Sequence, residues 1–177
     1  MVQFTRLFVS LCLIAASVSS PTKRTVAQVE ADIASISTQL TTLDEEIKDF
    51  TAPDPLGALS IQMTTGSLEH TLNTATLHVK ETGPIGEADA PTILDSVEAI
   101  EPIIIDALTQ IAGKKANFAA LLVAPPVVLA DLETLKTDTD ELGAALISVA
   151  PTDLKPSATS IMSAIDAAFA TAIAAYS

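Results

Sequence analysis

The sequence has one cysteine, no tryptophan and few other aromatic residues, and these shortages restrict how the fold can be held together. Cys12 lies in an apolar N-terminal run that we assign to a leader, so the remaining chain has no disulfide to stabilise it. Beyond the leader the aromatic side chains are Phe50, Phe118, Phe169 and Tyr176. The interior must therefore consist mainly of Leu, Ile, Val and Ala. A chain of this length suits one domain, which would bury roughly two-thirds of its unfolded surface.

The N-terminus has the three parts of a secretory signal peptide. Arg6 supplies a positive charge, the ten residues from Leu7 to Ala16 are mostly apolar, and small residues follow them. The apolar run is too short to cross a bilayer. We therefore predict that residues 1–20 are a signal peptide and that the protein is secreted.

The dibasic pair Lys23-Arg24 follows the leader and predicts a processing site. Residues 21–24 would then be a short pro-segment, and residues 25–177 would form a single domain. The alternative is one cleavage near Ser20 that leaves the pair as ordinary exposed residues. Processing after Arg24 removes three basic residues and no acidic residue, so the net charge would change from −13 to −16.

The scarcity of basic residues excludes one class of partner. A strongly negative protein repels phosphate backbones, and the chain has too few aromatic side chains to stack on bases, so we predict no nucleic-acid binding. Every long apolar stretch after the leader contains Asp, Glu or Lys, so we also predict no transmembrane segment.

No residue pattern indicates catalysis, a metal site or a cofactor. His70 and His78 are eight residues apart, whereas a metal-binding pair on one helix is spaced by three or four. The acidic run from Thr137 to Glu141 lacks the glycine and the ligand register of a calcium loop, so we interpret it as a solvated helix face. The chain has no G-x-S-x-G and no phosphate-binding glycine loop. We predict a protein that is not an enzyme.

The first segment after the leader has the most regular apolar pattern in the chain. Its apolar residues are separated by alternating steps of three and four, which predicts one amphipathic helix. The stripe consists of Val26, Val29, Ile33, Ile36, Leu40, Leu43, Ile47 and Phe50.

Less regular patterns predict four further helices. They cover about 56–81, 89–122, 128–149 and 156 to the C-terminus. Pro102 predicts a kink within the third helix, and Pro125-Pro126 are expected to end it. Short loops containing proline separate the helices. We therefore predict an all-α fold, an antiparallel bundle of about five helices.

The aliphatic helix faces favour an apolar cavity along the bundle. The mean hydropathy is +0.45, and a bundle without bulky aromatic residues can leave a void that accepts an alkyl chain. Alternatively, the bundle opens and lays its apolar faces on a hydrophobic surface, or the core is well packed and binds nothing. The candidate core or cavity-wall residues are Ile33, Ile36, Leu40, Leu59, Met63, Leu108, Phe118, Leu122, Leu135, Leu142, Ile165 and Phe169. Lys114-Lys115 could face an anionic head group at the cavity mouth or be an exposed solubilising pair.

Several short motifs are distributed over the chain in a specific order: Glu101-Pro102, Ala107-Leu108, the KKANF run from Lys114 to Phe118, the AALI run from Ala144, the APTDL run from Ala150, the IDAAF run from Ile165 and the AIAAY run from Ala172. Together they resemble the fungal hydrophobic surface-binding protein A family, whose domain is shared by cell-wall galactomannoproteins. Where family members often have glycines after the KK-x-x-F helix, this sequence reads Val123-Ala124-Pro125-Pro126.

The resemblance implies a secreted fungal helical bundle that is extracellular or in the cell wall. Members of the family adsorb to hydrophobic surfaces and recruit esterases there, and related domains hold fatty acids in a central tunnel. The expected partners are therefore a fatty acid or other lipid, a hydrophobic surface and a secreted esterase. The alternative is a structural or antigenic cell-wall protein without a ligand.

Overall fold

Six α-helices account for most of the residues that the computed structural model describes, which are 21–121 and 124–177. Five helices are long and one is short: α1 (Pro21–Asp49), α2 (Pro55–Thr82), α3 (Ala90–Gly113), α4 (Lys115–Ala119), α5 (Ala124–Val149) and α6 (Lys155–Tyr176). The predicted all-α class is confirmed. The predicted signal peptide lies outside the described residues, and the boundaries of the pro-segment and the mature domain stay predictions.

The apolar stripe that runs along α1 is buried over its whole length. All eight of its residues, from Val26 to Phe50, are at most 7% exposed. The helix ends before a short loop, and α2 begins after Asp54, whose carboxylate accepts a hydrogen bond from the Leu56 backbone N–H at 3.1 Å. Pro55 stands in the first turn of α2. Backbone N–H groups in this turn have no acceptor within the helix, so proline loses no hydrogen bond there. At the other end of α2, Gly83 adopts a φ of 69°, which glycine tolerates without a steric penalty.

The third predicted helix is divided in the structure. Helix α3 ends at Gly113, and the short helix α4 follows after Lys114. The Lys114 ammonium donates hydrogen bonds to the carbonyl oxygens of Lys48 and Phe50 at 2.8 and 2.7 Å, so this residue caps the C-terminus of α1. Helix α3 continues through Pro102, and the kink expected there stays a prediction.

The prediction that Pro125-Pro126 end a helix is wrong. Helix α5 begins at Ala124, so both prolines lie in its first turn. A proline has no N–H to donate, and the first-turn N–H groups have no acceptor within the helix. The double proline therefore begins this helix instead of ending the previous one.

The five long helices close into a ring. Helix α1 packs against α2 and α3, α2 also packs against α5, α5 against α6, and α6 against α3. Helices α1 and α2 run antiparallel, because contacts from Glu46, Gln39 and Asp32 of α1 reach Ser60, Thr71 and His78 of α2 in the reverse order. Two α2–α5 contacts, Gln62–Asp131 and Asn73–Asp138, advance along both helices together, so this pair is parallel. The core of the protein is therefore enclosed on all sides by helices.

Helix α6 has a composition that the prediction of no transmembrane segment did not take into account. Among the described residues it is the one helix long and apolar enough to cross a membrane by length and composition, even though it contains Asp166. Five of its residues, including Ile165 and Phe169, are buried against the rest of the bundle. The Asp166 carboxylate also pairs with the Lys136 ammonium of α5 at 2.6 Å. Packing in the ring therefore accounts for the five buried residues of α6.

Candidate functional site

The ring of helices encloses a central cavity of about 120 Å3. Each of the five long helices contributes to its wall, and most of the lining side chains are Leu, Ile or Val. The polar residues of the wall are Thr65 on α2 and Asp131 and Thr139 on α5. None of the described residues that line the cavity is Lys, Arg or His. An apolar cavity of this kind excludes water and favours hydrocarbon.

Eight of the twelve candidate residues line this cavity. They come from four helices and are Ile33, Ile36, Leu40, Leu108, Leu135, Leu142, Ile165 and Phe169. All eight are buried. Their contact with a ligand stays a prediction.

Two candidates on α2 are placed wrongly by the sequence. Leu59 is 54% exposed and Met63 is 66% exposed, so neither belongs to the core or to the cavity wall. The inner face of α2 consists instead of Ile61, Thr65, Leu68 and further residues at helical spacing. Helix α2 has apolar residues on both faces, and its inner face contains threonine, so periodicity alone selected the wrong face.

The other two candidates lie elsewhere. Phe118 of α4 belongs to the buried core, which agrees with its prediction as a core or cavity-wall residue. It stacks on Phe50 at the end of the bundle, with 4.4 Å between ring centroids, and does not line the cavity. Leu122 lies outside the described residues. The aromatic pair closes one end of the core where α1, α3 and α4 meet.

Sequence reasoning also omitted residues that do line the cavity. Leu43 and Ile47 belong to the same stripe as Ile33 and could have been selected by that periodicity. Gly143 and Met162 give no such signal. Glycine has no side chain to show a pattern, and the position of Met162 depends on how α6 packs against α5.

An acidic seam runs along the contact between α2 and α5. The Asp131 carboxylate accepts a hydrogen bond from Gln62 at 3.2 Å, and burial raises the pKa of Asp131 above its ordinary value. Burial also raises the pKa of Glu69, and the nearby charges of Asp131 and Asp138 add to this effect. The pKa of Asp138 is raised chiefly by burial as well. The polar part of the cavity wall therefore lies on helices whose contact contains three carboxylates with raised pKa values.

The basic pair that could have met an anionic head group is engaged elsewhere. Lys114 caps α1, as described above, and the Lys115 ammonium lies 6.0 Å from the centre of the Tyr176 ring. Neither lysine lines the cavity. The two histidines are also separate: His78 contacts Asp32 with its Nδ1 2.6 Å from the carboxylate, and His70 is exposed.

These features define a class of protein: an all-α bundle that encloses an apolar binding cavity. The model of the hydrophobic surface binding protein A family matches residues 26–148. The chain is similar to AfMp4p, solved in complex with palmitic acid, with 32% identity, a TM-score of 0.82, and coverage of 86% of this chain and 99% of that one. The protein belongs to the hydrophobic surface binding protein A family, as its motifs predicted.

More distant structures share the fold. Ligand-binding domain 1 of the Penicillium marneffei MP1 protein, complexed with arachidonic acids, is 17% identical with a TM-score of 0.80, over 87% of this chain and 99% of that one. Domain 2 of the same protein, also in complex with arachidonic acids, is 15% identical with a TM-score of 0.76. The match covers 84% of this chain and 91% of that one. No curated protein matches the sequence significantly.

Proposed function

We propose that this protein is a secreted, non-enzymatic carrier that encloses the hydrocarbon chain of a fatty acid or similar lipid in its central cavity. The observation that carries the proposal is the closed ring of five helices around an apolar space. Each methylene group transferred from water into such a space contributes about 0.8 kcal/mol. A long acyl chain therefore needs few polar contacts to bind.

Relatives of the family support a fatty acid as the ligand. AfMp4p, at 32% identity, was solved with palmitic acid, and its chain is matched over almost its whole length. In this protein the polar wall residues Thr65, Asp131 and Thr139 lie along α2 and α5, so we place the ligand's head group at that seam. The head group binds there as the neutral carboxylic acid, because the carboxylates of the seam would repel an ionised one. The two threonine hydroxyls can donate hydrogen bonds to a carboxyl group.

The test is uptake of a fluorescent fatty acid by the purified protein, followed by displacement with palmitic acid. We expect a stoichiometry near one to one. Leu135→Trp should fill the cavity and abolish uptake, because Leu135 is a buried wall residue. Leu77→Trp is the matched control, since Leu77 is 60% exposed. Circular dichroism must show that both variants are folded. The proposal would be excluded if palmitic acid displaced no fluorescent probe from the wild-type protein.

A second candidate function is adsorption to hydrophobic surfaces through the exterior of α2. Leu56, Leu59 and Met63 are 78%, 54% and 66% exposed and are spaced three and four residues apart, so they share one helix face. Exposed apolar side chains that lie together are typical of interaction surfaces. This face could bind a hydrophobic surface without any opening of the bundle.

Adsorption to alkyl-coated beads tests this second function. Changing Leu56, Leu59 and Met63 together to Ser should reduce retention strongly and leave fatty-acid uptake intact. Leu77→Ser alters an exposed leucine elsewhere on α2 and should have little effect. Equal retention of all three proteins would eliminate the α2 face as the adsorbing surface. Recruitment of a secreted esterase stays a prediction from the family resemblance.

A further inference from the structure

A second, smaller cavity adjoins the central one. It measures about 60 Å3 and lies between α3, α5 and α6, at the end of the bundle closed by residues 83–89 and 150–154. Its wall is also apolar and includes Ile85 and Leu154 from these two loops. Four residues line both cavities: Val97, Gly143, Leu146 and Met162. The two spaces are therefore separated by side chains and not by a helix.

Met162 occupies the place where any other residue at position 143 would have its side chain. A Cβ atom built on Gly143 would overlap the Met162 sulfur and come within 2.6 Å of its terminal methyl carbon. The thioether of α6 thus rests directly on the α5 backbone, at the junction of the two cavities. This contact requires glycine on α5 and a long, slender side chain on α6.

Methionine is suited to a movable contact. Its side chain is unbranched and has three rotatable bonds, so it changes conformation at low cost. If its tip leaves Gly143, position 143 has no side chain to take its place, and Val97 and Leu146 border the gap from other positions. The two cavities would then form one longer apolar channel.

We propose that Met162 is a movable partition that sets the chain length of the bound lipid. A short acyl chain fills the central cavity and leaves Met162 on Gly143. A longer unbranched chain displaces the thioether and extends its end into the second cavity. This inference rests on the proposed function, and each methylene that reaches the second cavity should strengthen binding about fourfold.

The first test follows the methionine methyl groups directly. The sequence contains only Met1, Met63 and Met162, and Met1 belongs to the predicted leader. With labelled methyl groups, NMR should show a large shift of the Met162 signal with hexadecanoic acid and a small one with decanoic acid. The exposed Met63 lies on the outer face of α2, so a shift of its signal would report binding at that surface and not in the cavity. Equal responses of Met162 to both acids would overturn the proposal.

The second test compares affinities for saturated acids from decanoic to icosanoic acid. Met162→Ala removes the partition, so the ratio of long-chain to short-chain affinity should rise about tenfold. This is the gain expected when nearly two more methylene groups of the long acid become buried. Ala158→Leu adds bulk at a residue that lines only the second cavity, so long acids should lose their advantage while decanoic acid binds normally. Leu77→Ala and Ala170→Leu are the control variants, because they shorten or enlarge an exposed side chain outside both cavities.

The outcomes separate the two proposals. If decanoic acid binds and the chain-length profiles of the wild type, Met162→Ala and Ala158→Leu are parallel, the partition is wrong and the carrier function stands. If no acid binds the wild type, the carrier function itself fails. A shifted profile in both variants, with unchanged control variants, supports the partition.

Discussion

Helices α1 and α2 are neighbours of similar length, yet they relate to the core in opposite ways. Every residue of the apolar stripe of α1 is buried. In α2, Thr65, Thr76 and Thr82 are buried, whereas Leu56, Leu59, Met63 and Leu77 are all more than half exposed. The position of α1 follows from its own sequence, but that of α2 depends on its contacts with α1 and α5.

The buried threonines of α2 cost little because two of them satisfy their hydroxyl groups within the helix. The Thr76 hydroxyl donates to the Leu72 carbonyl at 2.9 Å, and the Thr82 hydroxyl donates to the His78 carbonyl at 2.7 Å. Thr65 differs from both, because it lines the cavity. The comparison shows that α2 turns one hydroxyl group, that of Thr65, toward the cavity, although it leaves four large apolar side chains at the surface.

The largest effect expected from this comparison concerns stability. Leu43→Ala in α1 should lower the free energy of unfolding by about 2–5 kcal/mol, because Leu43 is a buried core residue. Leu59→Ala in α2 should change it by no more than about 0.5 kcal/mol, because Leu59 is largely exposed. Urea denaturation of the two variants measures both values. Equal losses would show that the two helices are not as different as the structure indicates.

A smaller effect distinguishes two threonines on the inner face of α2. Thr65→Val should weaken binding of palmitic acid by about three- to tenfold, as for one lost hydrogen bond, if the head group lies at the α2–α5 seam. Thr76→Val is the matched control, since Thr76 is buried but does not line the cavity. Displacement titrations give both affinities. Identical binding by the two variants would move the head group away from Thr65.

The smallest effect concerns the dependence of stability on pH. Burial raises the pKa values of Glu69, Asp131 and Asp138 in the folded state, so the folded protein binds more protons than the unfolded chain just above pH 4. In their protonated form these three groups stabilise the folded protein, and this stabilisation is fully present below the ordinary carboxyl pKa of about 4. It is lost as the pH rises through the raised pKa values of the folded state. Asp131→Asn should reduce this loss of stability at higher pH, because asparagine does not ionise.

Thermal unfolding across a pH series checks this prediction. The Asp131→Asn variant should be more stable than the wild type at neutral pH, and the difference should vanish in acid. Asparagine keeps an oxygen that can accept the hydrogen bond from Gln62. The control is Glu133→Gln, which removes an exposed charge from the same helix. A constant difference at all pH values would mean that the charge of Asp131 is not responsible.

Much of the fold could be predicted because apolar periodicity is a local property. The stripe from Val26 to Phe50 marks one face of α1 without ambiguity, and eight of the twelve candidate residues do line the cavity. The errors occurred where local patterns conflict. On α2 the apolar residues lie on both faces. Gly113, Pro125 and Pro126 could each either end one helix or begin the next, so the sequence did not fix where α3 ends and α5 begins.

The sequence by itself determined the helical class, the apolar stripe of α1, the family and the aliphatic nature of the interior, because each of these depends on residue types and their spacing. Only the tertiary structure decided which face of α2 points inward, how the five helices close into a ring and where Met162 meets Gly143. Those features depend on contacts between residues distant in the chain. Such contacts are set by the packing of whole helices, and no local pattern encodes them.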